Sequence, residues 1–292
     1  MTPTGRRKTT QISSPAKRRP HSPVARQETL RHVGLSRALS KLGYCSRSQA
    51  SDLIRAGRVR LNGRVCRDVE SPVRMEKDHV SIDDVLVKPS NKIYWMMNKP
   101  RGVVTTASDE KGRETVYSVL KASLAIAKQD EQDDPLPWVA PVGRLDKASE
   151  GLLLLTNDSE WGARLAAPDT HLEKTYHVQV ATLADDTFVN ALVRGVETGT
   201  EKDRQSLRAR RARVLRAGQK NCWLEIILDE GKNRQIRRML AVLGVEVLRL
   251  VRVAIGPLRL GELAKGACRK LEPEEKESLD LALQHREKGL HV

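Results

Sequence analysis

The sequence predicts an α+β protein made of two folded units, a small one followed by a large one, behind a basic tail. Three observations lead there. The chain has 292 residues, enough for a catalytic-sized core plus an accessory unit. Before residue 83, two helix-period stretches with cap residues give way to short strand-period stretches around a tight turn. Beyond residue 93, apolar strand-like segments alternate with three helical ones.

Charge bounds the function class. Lys and Arg number 52 against 37 Asp and Glu, a net charge of +15, which is the footprint of a polyanion binder with nucleic acid as the leading partner. The plain alternative is a solvated basic surface. Cys45, Cys66, Cys222 and Cys268 lie too far apart for a zinc knuckle or a redox dithiol and are expected as reduced, structural thiols. The histidines fall at no metal-ligand spacing, so no metal is implied. The apolar stretches are too short to cross a bilayer, and the N-terminus lacks a secretory segment. No membrane partner is expected, and the cytoplasm fits best.

Taken in order, residues 1–33 are rich in Ser, Thr, Pro, Lys and Arg, with clusters Arg6-Arg7-Lys8 and Lys17-Arg18-Arg19, and read as a disordered tail. It could steer the protein to RNA or serve as an organelle transit peptide. Its prolines and lack of an apolar face favour the RNA tail. Leu35, Leu39 and Leu42 form a helical pattern closed by Gly43, and Ser46 with Gln49 can form a capping box for a second helix carrying Ala50, Leu53 and Ile54, ending near Gly57. Arg58–Leu61 then alternates as a strand, Asn62-Gly63 turns it, Arg64–Cys66 returns, and a further strand is expected over Asp78–Ile82. Two helices and a small sheet bearing this many arginines resemble the S4-like RNA-binding domain of ribosomal protein S4, over Gly34 to Asp83. The resemblance rests on Leu-Ser-Arg-Ala-Leu-Ser-Lys-Leu-Gly-Tyr-Cys-Ser-Arg-Ser-Gln-Ala from Leu35 and Gly-Arg-Val-Arg-Leu-Asn-Gly from Gly57. It implies RNA contacts by Arg37, Lys41, Arg47, Arg58 and Arg60; a helix pair with ordinary surface arginines is the alternative.

Residues 84–92 read as a linker, 93–275 as the large domain and 276–292 as a C-terminal tail. The domain opens with the apolar segment Ile93–Met97. Strands are expected over Gly151–Thr156, Lys174–Val180, Cys222–Leu228 and Glu246–Ile255, and helices over Thr115–Lys128, Ser159–Ala167 and Asn233–Leu243. The acidic, proline-containing stretch 129–137 reads as a surface loop.

The segment Gly143-Arg-Leu-Asp-Lys-Ala-Ser-Glu-Gly-Leu-Leu-Leu-Leu-Thr-Asn157 sets a charged turn just before a strand apolar enough to be buried on both faces. Alone, Asp146 is an ordinary turn or cap residue. The whole segment, however, resembles the signature of the ribosomal RNA pseudouridine synthases of the small-subunit and large-subunit types, with Ser149 where Thr is more usual. Three further pieces follow the family order: Asn98-Lys-Pro-Arg-Gly-Val-Val-Thr-Thr106, Leu172-Glu-Lys-Thr-Tyr176, and Glu230-Gly-Lys-Asn-Arg-Gln-Ile-Arg-Arg-Met239 leading to Val247-Leu-Arg-Leu-Val-Arg252.

The resemblance, from about Ile93 to Leu271, implies a mainly antiparallel sheet with flanking helices and an isomerase that needs no cofactor. It implies Asp146 as the nucleophile, Arg237 as the basic residue that pairs with it, and Tyr176 as the ring against the flipped uracil and a candidate for handling its carbon-5 proton. Arg144 would fill the gap left by the base, and Arg234 and Arg238 would meet phosphates. The implied partner is ribosomal RNA or an assembling ribosomal subunit, with 23S-type large-subunit RNA preferred over small-subunit RNA and the protein acting as a monomer. Two other readings stay open: a hydrolase using Asp146 with Glu150 as a carboxylate pair, and a non-catalytic RNA-binding assembly factor on the same fold.

Overall fold

The computed structural model describes residues 32–107, 109, 111–127, 138–199 and 203–289. The tail read over 1–33 lies outside the described residues up to residue 31, and the loop read over 129–137 lies outside them altogether.

In the small domain, local signals place the elements. Val33, counted above with the tail, opens β1 (Val33–Gly34). α1 (Leu35–Lys41) ends before Gly43, whose φ of 77° turns the chain, and its Leu35, Ala38 and Leu39 are fully buried. Ser46 caps α2 (Arg47–Arg55): its Oγ accepts from the Gln49 N–H at 3.1 Å while Gln49 Oε1 accepts from the Ser46 N–H at 3.0 Å. Such a reciprocal cap contributes about 1 kcal/mol. Asn62 and Gly63 have φ of 51° and 80°, turning β2 (Val59–Leu61) back onto β3 (Arg64–Val65). β4 (Pro72–Val73) pairs with β1, and β5 (Val80–Ile82) pairs with β2.

The small sheet runs past the boundary expected at residue 83. Asp83 and Asp84 take φ of 48° and 65°, and β6 (Val85–Leu86) folds back onto β5. Two adjacent aspartates are a weaker turn signal than Asn-Gly, although their short polar side chains tolerate the left-handed region. What remains of the linker is pinned. Ser90 Oγ donates to the Leu42 carbonyl at 2.9 Å, and the Asn157 amide donates to the Asn91 carbonyl at 2.7 Å and accepts from the Ile93 N–H at 2.8 Å. Lys41 reaches Glu160 at 2.7 Å across the same joint.

The large domain begins with β7 (Tyr94–Lys99), α3 (Val116–Ala127), β8 (Ala140–Val142), β9 (Glu150–Thr156) and α4 (Ser159–Ala166). Next come β10 (Lys174–Val180), α5 (Asp186–Arg194), the pair β11 (Val196–Thr198) and β12 (Gln205–Leu207), β13 (Arg211–Ala217) and β14 (Cys222–Leu228). α6 (Gln235–Val242), β15 (Val247–Ile255), β16 (Leu258–Arg259), β17 (Cys268–Lys270) and α7 (Pro273–Gly289) complete it. Among the described residues, nine strands form one sheet in the order β13-β14-β10-β15-β9-β7-β17, with β8 beside β9 and β16 beside β15. Its pairings are antiparallel except that of β15 with β9, so the α+β, mainly antiparallel reading holds.

Burial explains the patterns. β14 alternates, sending Cys222, Leu224, Ile226 and Leu228 into one core with Ile236, Met239 and Leu240 of α6. β9 is buried on both faces: Leu152 and Leu154 join Trp161, Leu279 and Leu283, while Leu153 and Leu155 join Val103, Val116 and Leu120. The segment from residue 276, expected as a tail, is instead the body of α7. Its Leu279 and Leu283 are fully buried, and Asp280 accepts from Trp161 Nε1 at 2.8 Å. Two leucines four residues apart among charged residues supply its fully buried apolar contact, too sparse a stripe to stand out in the sequence.

Two constraints position the loop before β9, and the first of them also joins the halves of the large sheet. The parallel pairing of β9 with β15 covers two residue pairs, Val251 with Glu150 and Arg252 with Gly151. Gly151 has φ of 100°, and a Cβ there would lie 2.3 Å from the Arg252 carbonyl oxygen. The second is Lys99, fully buried at the end of β7, whose Nζ donates to the carbonyls of Ser149 (2.9 Å), Pro100 (3.1 Å) and Asp146 (3.2 Å). Burial pulls its pKa down to about 8, opposed by the attraction of Asp146 and Glu150 and reinforced by Arg252.

We expect Gly151→Ala to lower the unfolding free energy by about 2–4 kcal/mol, from strain at positive φ and displaced backbone, read as a lower urea midpoint. An unchanged midpoint would mean that the two strands part without cost. For Lys99, an unfolded chain keeps the proton up to the ordinary value of 10.5, whereas the native state releases it near 8. The unfolded state therefore binds more protons between those values, and wild type should gain stability relative to Lys99→Met as pH rises through them. A difference that stays constant would mean that buried Lys99 keeps its proton.

Candidate active site

The Arg144-Leu145-Asp146 turn leaves β8 through Gly143, whose φ is 69°, and is held from beneath. Leu145 is buried in the cluster of Val103, Val116 and Leu153. Every carbonyl from Leu145 to Ser149 accepts a hydrogen bond. Thr105 Oγ1 donates to Leu145 at 2.8 Å, the Gly102 N–H to Lys147 at 2.7 Å and Arg237 Nη2 to Ala148 at 3.0 Å. The Ser149 N–H adds a bond to Asp146 at 3.0 Å beside that from Lys99. The half-buried Asp146 side chain is thus carried on a backbone with its polar groups satisfied.

A cavity of about 400 Å³ opens beside it, inside the range of roughly 300–1,000 Å³ usual for small-ligand sites. Asp146 comes from the β8–β9 loop, Tyr176 from β10, Arg252 from β15, and Arg234 and Arg237 from the start of α6. Among the described residues lining it, Asp146 is the only carboxylate, against six cations: Arg144, Lys174, Lys232, Arg234, Arg237 and Arg252. Tyr176 and Arg252 are direct cross-strand partners and so share a face, next to a bulge at Val253. Tyr176 is half-buried and packs between two apolar clusters.

Of the residues singled out in the large domain, Arg144, Asp146, Tyr176, Arg234 and Arg237 meet at this cavity. Arg238 does not. Its guanidinium donates to Thr198 Oγ1 at 2.7 Å and Gln205 Oε1 at 3.1 Å, because neighbouring positions on a helix point about 100° apart and Arg237 takes the cavity side. Burial lowers the pKa of Arg237, the Asp146 carboxylate opposes that shift, and Arg234 and Arg101 add repulsion. The contact with Asp146 is this attraction rather than a bonded pair: Arg237 bonds the Ala148 carbonyl, and its buried Nε has no acceptor.

Glu150 is not a second carboxylate for this cavity. It is 4% exposed and bonded to Arg249 at 2.9 Å and Lys265 at 3.3 Å. Burial alone would raise its pKa, but those two bonds outweigh it and hold the group below its ordinary value. A hydrolytic pairing of Asp146 with Glu150 therefore has no support in the geometry.

On the small domain, Arg37 and Arg47 are exposed with no ion pair among the described residues. Lys41, Arg58 and Arg60 are engaged by Glu160, Asp83 and Asp84. Sequence reasoning gave no role to Lys99, Thr105, Gln235 or Arg252. Gln235, 2% exposed, ties the loop before α6 to Arg208 and Glu230. The available signal for Lys99 and Arg252 was a cation in or at the end of a largely apolar strand, which demands a partner if buried. Among the described residues, no cluster of His, Cys, Asp or Glu could hold a metal ion, and no helix is long and apolar enough to cross a membrane.

The model of the family described as RNA pseudouridylate synthase matches residues 93–242, and the S4 domain model matches 33–80. An uncharacterized RNA pseudouridine synthase of Aquifex aeolicus is 36% identical over 83% of this chain and 92% of its own length. The ribosomal large subunit pseudouridine synthase B of Bacillus subtilis is 31% identical over 86% of this chain and 97% of its own length. A crystal structure of a pseudouridylate synthase superposes with a TM-score of 0.55 at 30% identity, covering 85% of this chain and 99% of that one. With its signature turn seated on the carboxylate-bearing loop of the cavity, the chain belongs to the RNA pseudouridylate synthase family, with an S4 domain ahead of the catalytic domain.

Proposed function

We propose that the protein isomerises one uridine of ribosomal RNA to pseudouridine, with the target base turned out of its stack into the cavity beside Asp146. The observation that carries this reading is a carboxylate that, among the described residues, stands alone against six cations in the lining of the cavity. The cations suit the phosphates of an RNA strand, and the carboxylate suits attack on an electrophilic sugar carbon. Large-subunit RNA is the preferred substrate, on the strength of what the Bacillus subtilis relative is named for.

In this account an Asp146 carboxylate oxygen bonds to C1′ of the target, and the electron pair of the N1–C1′ bond leaves with the uracil. The base rotates, C5 attacks C1′, and Asp146 is released. The proton on C5 is then lost to solvent while N1 gains one, so the product is an isomer and nothing is consumed. Arg237 and the Asp146 carboxylate attract each other. Tyr176 stacks on the uracil, Arg144 fills the space the base leaves, and Arg234 meets a phosphate. Arg37 and Arg47 contact RNA on the small domain, and Lys41, Arg58 and Arg60 join them by exchanging exposed ion pairs, which cost little to break. The protein acts as a monomer in the cytoplasm.

Ribosomal RNA transcripts carrying tritium on uridine C5 test this. Wild type should release one equivalent of tritium from a single site, while Asp146→Asn should bind the transcript as well and react about 10⁴-fold or more slowly. Free uracil in the products would mean a hydrolase. Tight binding with no tritium release would mean a binding-only assembly factor.

A further inference from the structure

Arg252 is a charged residue in the middle of β15, 5% exposed, with Leu250, Ala254 and Ile255 buried around it. Its Nε donates to the Leu152 carbonyl at 2.7 Å, but its Nη2 is shut away from solvent and has no acceptor. Buried guanidinium donors are almost always satisfied, because leaving one unpaired in an apolar setting is costly. Among the described residues, no carboxylate forms an ion pair with it. Glu150 is held by Arg249 and Lys265, and the next buried charge, Lys99, has the same sign. An apolar side chain would serve the fold better there. Yet the side chain lines the cavity, on the same face as Tyr176 and across from the Asp146 loop.

We propose that Arg252 is a substrate-contacting residue whose guanidinium donates to a carbonyl oxygen of the target uracil. The inference rests on the reading of the cavity as the seat of the flipped uridine. The bond is strongest when the N1–C1′ bond has broken, because the departing electron pair spreads from N1 onto O2 and O4. No proton is transferred in that step. Arginine stays charged throughout, so Arg252 acts as a fixed donor rather than as an acid. The negative charge disappears when C5 bonds to C1′, C5 loses its proton and N1 gains one. A donor aimed at O4 would also select against cytosine, which presents an amino group in that place.

The test uses the full chain and a synthetic RNA spanning the modified site, with the target present as uridine, 2-thiouridine or 4-thiouridine. Single-turnover rates are compared for wild type and Arg252→Gln, with RNA affinity and thermal melting measured alongside. Arg252→Gln should retain RNA affinity and react about 10²–10³-fold more slowly on uridine, the usual effect of removing one donor to a developing anion. Sulfur is a poorer acceptor, so wild type should slow on one of the two thio substrates, and the variant should show no further loss on that same substrate. Additive losses on both would reduce Arg252 to a packing residue and overturn the proposal. If Arg252→Gln does not fold, Arg252→Lys, whose ammonium cannot reproduce the fork, is put through the same comparison with the same criterion. A wild type that isomerises no uridine, or an active Asp146→Asn, would instead remove the reading of the cavity itself.

Discussion

The catalytic domain depends on one close approach, that of Gly151 to the backbone of Arg252. Among the described residues, two antiparallel half-sheets, one containing β7, β8, β9 and β17 and the other β10, β13, β14, β15 and β16, share one strand pairing, the short parallel one of β9 with β15. No side chain fits between these strands at residue 151, where even a methyl group would fall 2.3 Å from a carbonyl oxygen. The approach sets the carboxylate of one half against the ring and guanidinium groups of the other. The Asp146 loop runs directly into β9, while Tyr176, Arg252 and the α6 residues belong to the far half.

What makes that placement precise enough for chemistry is the treatment of the loop backbone. Five consecutive carbonyls are bonded, two of them by a single buried ammonium and one by the arginine that also faces Asp146. Under the proposed role of Asp146, a loop secured in this way holds that side chain near one geometry before substrate arrives, which lowers the entropic cost of reaching the reacting arrangement. The charge distribution acts in the same direction, because the sole carboxylate lining the cavity, among the described residues, lies among cations. The neighbouring Glu150 is withdrawn into its own ion pairs and does not compete.

Much of this was legible wherever the deciding interaction is local. β10 and β14 follow the residues expected of them because alternation reports one buried face, and the reciprocal bonds of Ser46 and Gln49 need only a four-residue window. The Asn62-Gly63 turn is of the same kind. Illegible were features whose partners lie far along the chain. Lys99 finds Ser149 50 residues away, and Arg252 finds Leu152 100 residues away. α7 was taken for a tail because Leu279 and Leu283 acquire meaning only beside Trp161. Arg238 was placed with the phosphate contacts because the motif does not say which of two adjacent arginines faces the cavity. The left-handed turn at Arg234, which delays α6 to Gln235, fixes that phase.

The central claim is that the cavity at this junction isomerises a uridine of ribosomal RNA in the cell. The most direct measurement is a carbodiimide primer-extension map of pseudouridines in ribosomal RNA from cells with and without the gene, rescued by wild type or by Asp146→Asn. The account predicts one site lost on deletion and restored by wild type alone. A map unchanged by deletion, or a site restored equally by Asp146→Asn, would contradict it.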